Sequence, residues 1–337
     1  MKTLNVAVVG ATGAVGQTML KVLEERNFPV ATLLPLASAR SKGQNLVFRG
    51  ETTAIEEACP EAFSDIDLAF FSAGTDTSLS LAPEAVKRGA VVVDNSNAFR
   101  MNPDVPLVVP EVNPEALRTH QGIIANPNCS TIQMVMVLKP LHDRARIKRV
   151  VVSTYQAVSG TGQEAIAELR TQSSQILLGQ PVKPEIYPYQ IAFNVLPHID
   201  VFDETGYTLE EWKMVRETAK IMSDETIAIT ATAVRVPVMY GHSEAINIET
   251  EKKLLPEEAR AILAQAPGVV VVDDPRENKY PLPTQAAGRN EVFVGRIRED
   301  FSTRNGLNLW VVADNLRKGA AYNAVQIAER LLTDGLL

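Results

Sequence analysis

Short apolar runs alternate with helix-period stretches through the first part of the chain. Residues 4–9, Leu-Asn-Val-Ala-Val-Val, read as a strand, and Gly10-Ala11-Thr12-Gly13-Ala14-Val15-Gly16 follows without a break. Val15, Met19, Val22 and Leu23 then recur at helical spacing, which predicts a helix to about Arg26. Apolar runs at residues 30–37, 68–72, 90–94 and 122–125 predict further strands, with a helical stretch around residues 79–88. Strands joined through helices predict a parallel sheet, so the fold class is α/β with a Rossmann-type parallel-sheet dinucleotide-binding domain. The run at 122–125 opens into Asn126-Pro127-Asn128-Cys129-Ser130-Thr131-Ile132-Gln133, and Met134 to Leu138 behind it reads as a buried helix. Asn128 has the chemistry of an N-cap, which puts Cys129 in the first turn of that helix.

The pattern changes after Cys129. A strand at residues 149–156 precedes a helix at 163–178, then a stretch punctuated by Pro181, Pro184, Pro188 and Pro197. A helix at 209–222 follows, and strands at 227–236 and 244–249 bracket the loop 237–243. Poor alternation in the first of these predicts a strand covered on both faces. A helix near 256–266 and strands at 269–272, 292–298 and 307–312 complete an α+β domain dominated by one sheet. The last helix, about 319–332, is expected to pack back on the first domain, with Asn315 at the crossing. The boundaries predicted are therefore 1–127 with 315–337 for the first domain and 128–314 for the second.

A length of 337 residues fits two cores better than one. The net charge of −7 argues against general affinity for nucleic acid or anionic membrane. Cys59 and Cys129 are too few for a disulfide framework, which fits a reducing cytoplasm. No apolar run reaches membrane-spanning length, and a strand at the very start leaves no room for a signal peptide. No paired Cys/His spacing points to a metal, so none is expected.

Strand, glycine loop and helix together predict a pyrophosphate site at Gly10 to Val15, although the spacing is Gly-x-x-Gly-x-x-Gly rather than Gly-x-Gly-x-x-Gly. After the second strand no acid is present to take a ribose 2′-hydroxyl. Ser38, Arg40 and Ser41 stand there instead, donors suited to the 2′-phosphate of NADP. Arg100 follows a strand's carboxyl end, where open α/β sheets bind ligands. Cys129 at a helix start is either a nucleophile, favoured as thiolate by the helix dipole, or a small buried residue. Of four histidines, His142 lies at the far end of the same helix and His120 at the sheet's opposite edge. His198 and His242 both stay open as partners, His242 on a loop aimed by a preceding glycine, with a pKa expected near neutrality.

The chain resembles the aspartate-β-semialdehyde dehydrogenase family over essentially its full length. The matching pieces are the glycine loop, Asn97-Ala98-Phe99-Arg100, Asn126 to Thr131, Gln156 to Gly160, Glu210-Glu211-Trp212-Lys213, Arg235-Val236-Pro237-Val238 and Gly241-His242-Ser243-Glu244. The resemblance implies NADPH-dependent reduction of L-aspartyl-4-phosphate to L-aspartate 4-semialdehyde, in biosynthesis of lysine, threonine, methionine and isoleucine. It implies Cys129 as acylated nucleophile, His242 as acid/base and Gln156 as orienter of the substrate carbonyl. Arg235 would grip the α-carboxylate, Glu210 the ammonium, and Arg100 with Lys213 the phosphate, with Asn128 beside the nucleophile. Gly10, Thr12, Gly13, Ala14, Val15, Ser38, Arg40, Ser41, Ser159, Gly160 and Asn315 would touch NADP. A homodimer through the second domain's sheet is implied as well. The competing enzyme reading is an N-acetyl-γ-glutamyl-phosphate reductase, and the competing class is a non-catalytic NADPH-binding regulator.

Overall fold

Alternating strands and helices in the N-terminal part build one parallel sheet. The structure, a computed structural model, describes residues 3–337. β1 (Leu4–Val9), α1 (Ala14–Glu25), β2 (Val30–Ala37), a hairpin of β3 (Asn45–Phe48) and β4 (Glu51–Ala54), and β5 (Glu56–Glu57) come first. β6 (Leu68–Phe71), α2 (Thr75–Lys87), β7 (Val91–Asp94) and β8 (Ile123–Ala125) complete the unit's first segment. The sheet order is β5-β2-β1-β6-β7-β8, parallel throughout, so strand order reverses at β1 and β6. That reversal opens a crevice at the strands' carboxyl ends. Gly10 turns the chain there with φ of 86°, and a Cβ on it would lie 2.7 Å from the Ser72 carbonyl oxygen. Only glycine meets both conditions.

The unit runs to Asn128 and also takes in Ala320–Leu337. The C-terminal helix (Tyr322–Thr333) buries Ala324, Val325, Ile327, Ala328 and Leu331 in one core with Val6, Val8, Met19 and Leu23 of β1 and α1. Full burial of each larger aliphatic contributes about 1.5–3 kcal/mol, so this helix is integral to that core.

The second unit is Cys129–Gly319. It contains α3 (Cys129–Ala145), β9 (Ile147–Gln156), α4 (Gln163–Leu177), α5 (Leu209–Met222), β10 (Ala228–Arg235) and β11 (His242–Thr250). α6 (Pro256–Gln265), β12 (Val269–Val271), β13 (Val292–Asp300) and β14 (Gly306–Ala313) follow. The mixed sheet has the order β10-β9-β11-β14-β13-β12. α3 packs on β9, β11 and β14, α5 on β10, and α6 on β12 and β13. Every position from Ser130 to Leu138 is buried, so α3 is enclosed on all sides rather than amphipathic.

Three expectations need correction. β10 is an edge strand, with Ala231, Ala233 and Arg235 buried while Ala228 and Thr232 are exposed, so it is not covered on both faces. Small alanines and threonines blur the alternation that the burial pattern shows clearly. The return crossing lies beyond Gly319 rather than at Asn315, because side-chain hydrogen bonds tie Asn315 to Ser159 and Gly241 of the second unit. His242 is the first residue of β11, not a loop residue; the turn is completed by Gly241, at φ of 90°.

Candidate active site

Cys129 opens α3, and Asn128 is buried just ahead of it. Neither Cys129 nor Cys59 is in a disulfide. Gly319, within a π-helical turn (Arg317–Ala321), is pressed against the cysteine: a Cβ there would lie 2.9 Å from the Cys129 Cβ. The same added carbon would stand 3.6 Å from the Asn315 Cβ. Asn315 Oδ1 in turn accepts from Ser159 Oγ and from the Gly241 amide, each at 3.0 Å. Gly319 thus lies beside Cys129, and Asn315 beside it holds the turn that precedes His242.

The His242 ring is fully buried, and its Nδ1 accepts the Ala157 backbone N–H at 3.0 Å. A backbone amide can only donate, so in the neutral ring the proton sits on Nε2. That Nε2 is buried and has no partner. Burial first, and the Arg235 charge second, push the imidazole pKa down to about 3, with Glu210 pulling weakly upward. The near-neutral value expected from sequence does not hold: a loop histidine would be solvated, whereas this one is sealed into a strand beside a cation.

Arg235 ends β10 at 5 % exposure and donates from Nη1 to the Ala157 carbonyl at 2.7 Å. Its Nε is buried without a partner. Gly160 supplies the gap in front of both groups. A Cβ on it would come within 3.0 Å of Arg235 Nη1 and 3.3 Å of His242 Nε2. Ala157 therefore clamps the histidine by its N–H and the arginine by its C=O, leaving His242 Nε2 and Arg235 Nε buried without a partner.

Gln156 ends β9 and donates from Nε2 to Glu210 Oε1 at 3.2 Å. Glu210 and Lys213 lie in the first turns of α5, whose start is fixed by a capping box between Thr208 and Glu211. Lys213 Nζ donates to Glu210 Oε2 at 3.1 Å and to Asp200 Oδ2 at 2.7 Å. Burial lowers the Lys213 pKa, but Glu210 and Asp200 outweigh it, so the ammonium ends raised and stays charged. Two of its three donors are committed, leaving one for an anion.

Other candidates lie elsewhere. His142 sits in the last turn of α3, within 3.5 Å of Asp224, and His198 stacks on Phe202 at 4.4 Å. His120 hydrogen-bonds the Leu336 carbonyl. These contacts occupy all three. Arg100 belongs to the first unit, where Nε and Nη2 hold the carbonyls of Asn126 and Asn95 at 3.0 and 2.9 Å.

The first unit also carries a cavity of about 700 Å³ at the strand-order reversal. Gly10, Thr12, Gly13, Ser38 and Ala39 line it, as do Ser72 and Ala73 after β6. Ala14, Val15, Arg40 and Ser41 do not line it, although Arg40 and Ser41 share the short turn Ala39–Ser41 at its rim. Arg40 is exposed and has no ion pair or side-chain hydrogen bond among the described residues. Gly13 is the N-cap of α1 and offers no side-chain cap, which leaves the helix's first-turn N–H groups for an anion. Sequence reading missed Ser72, Ala73, Ala157, Asp200 and Gly319. Only the first two had a signal, their place after a strand's carboxyl end. Among the described residues no group of three His, Cys, Asp or Glu is placed to hold a metal ion.

The geometry finds its counterparts among known proteins. The profile of the semialdehyde dehydrogenase NAD-binding domain matches residues 5–120, and that of the semialdehyde dehydrogenase dimerisation domain matches residues 138–318. Aspartate-semialdehyde dehydrogenase of Aquifex aeolicus is 60 % identical over 336 residues, covering 98 % of this chain and 99 % of its own. The solved structure of aspartate semialdehyde dehydrogenase II from Vibrio cholerae, complexed with ASA, superposes with a TM-score of 0.96 at 49 % identity, over 99 % of both chains. The Candida albicans aspartate semialdehyde dehydrogenase with NADP is more distant, with TM-score 0.79 and 26 % identity over 100 % of both chains. On profile matches spanning most of the chain and a relative this similar over nearly its whole length, the chain belongs to the aspartate-semialdehyde dehydrogenase family.

Proposed function

We propose that the chain reversibly reduces L-aspartyl-4-phosphate to L-aspartate 4-semialdehyde and phosphate, with NADPH as reductant and an acyl-thioester on Cys129. The observation that carries this is the trio of Cys129 at a helix start, the unpartnered Nε2 of His242 and the half-free guanidinium of Arg235 in one unit. The residues of the first unit fit NADP: Gly10, Thr12 and Gly13 at the uncapped start of α1 would take the pyrophosphate. Ser38, with the unpaired Arg40 and Ser41 at the rim, would take the 2′-phosphate. When bound, the reduced nicotinamide supplies the hydride.

The Cys129 sulfur, favoured as an anion by the helix terminus, attacks the acyl carbon and the phosphate leaves. Lys213, with one donor uncommitted, balances its charge. Once hydride has been delivered to the thioester carbon, the oxygen becomes an oxyanion, and its collapse releases aldehyde and thiolate. The departing phosphate takes up one proton, which water supplies, and collapse of the oxyanion needs none. His242 can therefore act through the donor it shows, Nε2–H to the developing oxyanion, where the resemblance assigned an acid/base. Arg235 grips the α-carboxylate, Gln156 the carbonyl side and Glu210 the ammonium; an N-acetylated substrate would leave Glu210 without a cation. A carboxylate on Arg235 also cancels the charge that helps depress His242.

A second copy of the chain is expected on the open face of the second sheet, where Tyr155 is 38 % exposed and its ring lies 5.5 Å from that of Trp310. The dimerisation-domain match supports this. Unbridged cysteines suit a reducing cytoplasm.

The thioester is directly testable. Aspartate semialdehyde and NADP⁺ without phosphate, quenched in acid, should leave an aspartyl adduct on the Cys129 peptide by mass spectrometry. An adduct missing, or found on Cys59, would defeat the mechanism.

A further inference from the structure

Lys213 already holds two acids, and the substrate has a use for only one of them. Glu210 would meet the substrate's ammonium, whereas Asp200 has no counterpart in the chemistry above. The Asp200 Oδ2 accepts from Lys213 Nζ at 2.7 Å, the length of a charge-assisted bond, while Glu210 stands at 3.1 Å. Asp200 pairs with no second cation among the described residues. Its seat is fixed from both sides. Four residues earlier, Leu196 exchanges two backbone hydrogen bonds with Arg235, at 2.9 and 2.8 Å. One residue later, the Val201 carbonyl accepts the Leu209 N–H at 2.9 Å, which ties the chain to the first residue of α5. Between these anchors Asp200 is left-handed, at φ of 69°, a conformation that Asn and Asp adopt more readily than most side-chain-bearing residues. Its Oδ1 accepts the Val201 N–H at 2.9 Å, which leaves Oδ2 to the lysine. The Lys213 side chain is 18 % exposed and that of Asp200 33 %, so the pair is open to an incoming anion.

One ammonium between two carboxylates leaves this group negative, which works against a phosphate. Once the substrate's ammonium has matched Glu210, Lys213 still faces Asp200, and phosphate competes with that carboxylate for the same cation. We propose that Asp200 is a built-in counter-ion of Lys213 that limits how tightly phosphate is held, so that phosphate leaves once the acyl group has moved to sulfur. A neutral side chain in its place would leave the lysine's full charge to the anion, tightening phosphate and slowing its release. Asp200 is a positioning residue: it acts through Lys213 and touches no substrate atom. Its role rests on phosphate being held at Lys213.

Asp200→Asn isolates the charge, because it keeps an oxygen for Lys213 and a side chain suited to the left-handed backbone. In phosphate-dependent NADP⁺ reduction by the intact enzyme it should lower the KM for phosphate about 3–10-fold, with the KM for aspartate semialdehyde within about 2-fold of the parent. Asp200→Gly also suits that backbone and should move the phosphate KM the same way. With Lys213→Ala already in place, Asp200→Asn should leave the phosphate KM unchanged, since the cation it acts on is gone. An unchanged or raised phosphate KM in folded Asp200→Asn, or equal shifts for both substrates, would overturn the counter-ion role alone. Lys213→Ala with a parental phosphate KM would remove phosphate from Lys213, and this role with it. If the parent does not turn over, the function proposal fails, and calorimetric titration of inorganic phosphate into the NADP⁺-loaded protein judges Asp200 instead. Tighter binding in Asp200→Asn supports the role there, and equal or weaker binding overturns it.

Discussion

A single backbone amide decides how His242 can work. With Ala157 N–H on Nδ1, the neutral ring offers a proton at Nε2 and has no lone pair there to act as base. The two readings separate in variants. His242→Ala should lose about 10²–10³-fold in kcat, the usual worth of one oxyanion donor. His242→Gln should recover part of that through its amide N–H, which an acid/base role would not allow. Because the imidazole stays neutral down to about pH 3, the kcat/KM profiles of parent and His242→Ala should run parallel from about pH 6 to about pH 9. A neutral-range limb that vanishes with the histidine would contradict this. For stability the sign is equally defined. The folded value lies below the ordinary 6.5, so the unfolded chain takes up the proton first and stability falls as pH drops from 6.5 toward 3. Cys129 and His242 were legible in the sequence as residue types at marked positions, and Arg235 only through the family resemblance. The proton's location was not, because it depends on a contact between residues 85 apart.

Among the elements, strong apolar periods predicted all but the weakest pieces. The β3–β4 hairpin escaped notice because each strand is only four residues long, β4 is polar, and most of the hairpin is exposed. α2 begins at Thr75, earlier than its apolar pattern, and runs through Pro83. The turn Ala39–Ser41 carries the cofactor prediction. Ser38 and Ala39 line the cavity while Arg40 remains at the rim without an ion pair, so its charge is available to a 2′-phosphate. Glu57, paired beside Ala37 in the sheet and bridged to Lys42 at 3.4 Å, is an acid on the same cavity that sequence order had hidden. Arg40→Asp should therefore weaken NADPH by roughly 10–100-fold, the worth of one charge-assisted contact of about 1.5–3 kcal/mol, while NADH changes little. Equal losses for both cofactors in a binding titration would remove Arg40 from 2′-phosphate recognition.

In the whole molecule, labour is divided by unit. The first offers a crevice built on glycine turns, and the second holds Gln156, Arg235, His242 and Cys129 on the ends of β9, β10, β11 and α3, where the proposed chemistry needs them. Sequence order suggested that division, but the return crossing was misplaced because Asn315 looks like any loop residue until its bonds to Ser159 and Gly241 are seen. Substrate identity rests on Glu210, whose carboxylate already balances Lys213 and would welcome an ammonium. The most direct measurement is therefore phosphate-dependent NADP⁺ reduction with L-aspartate semialdehyde and with N-acetylglutamate semialdehyde, in the parent and in Cys129→Ala. The account predicts turnover of the aspartate compound alone, absolute need for phosphate, and none in Cys129→Ala despite retained NADP⁺ binding. Preference for the acetylated substrate, or turnover surviving without the thiol, would contradict it.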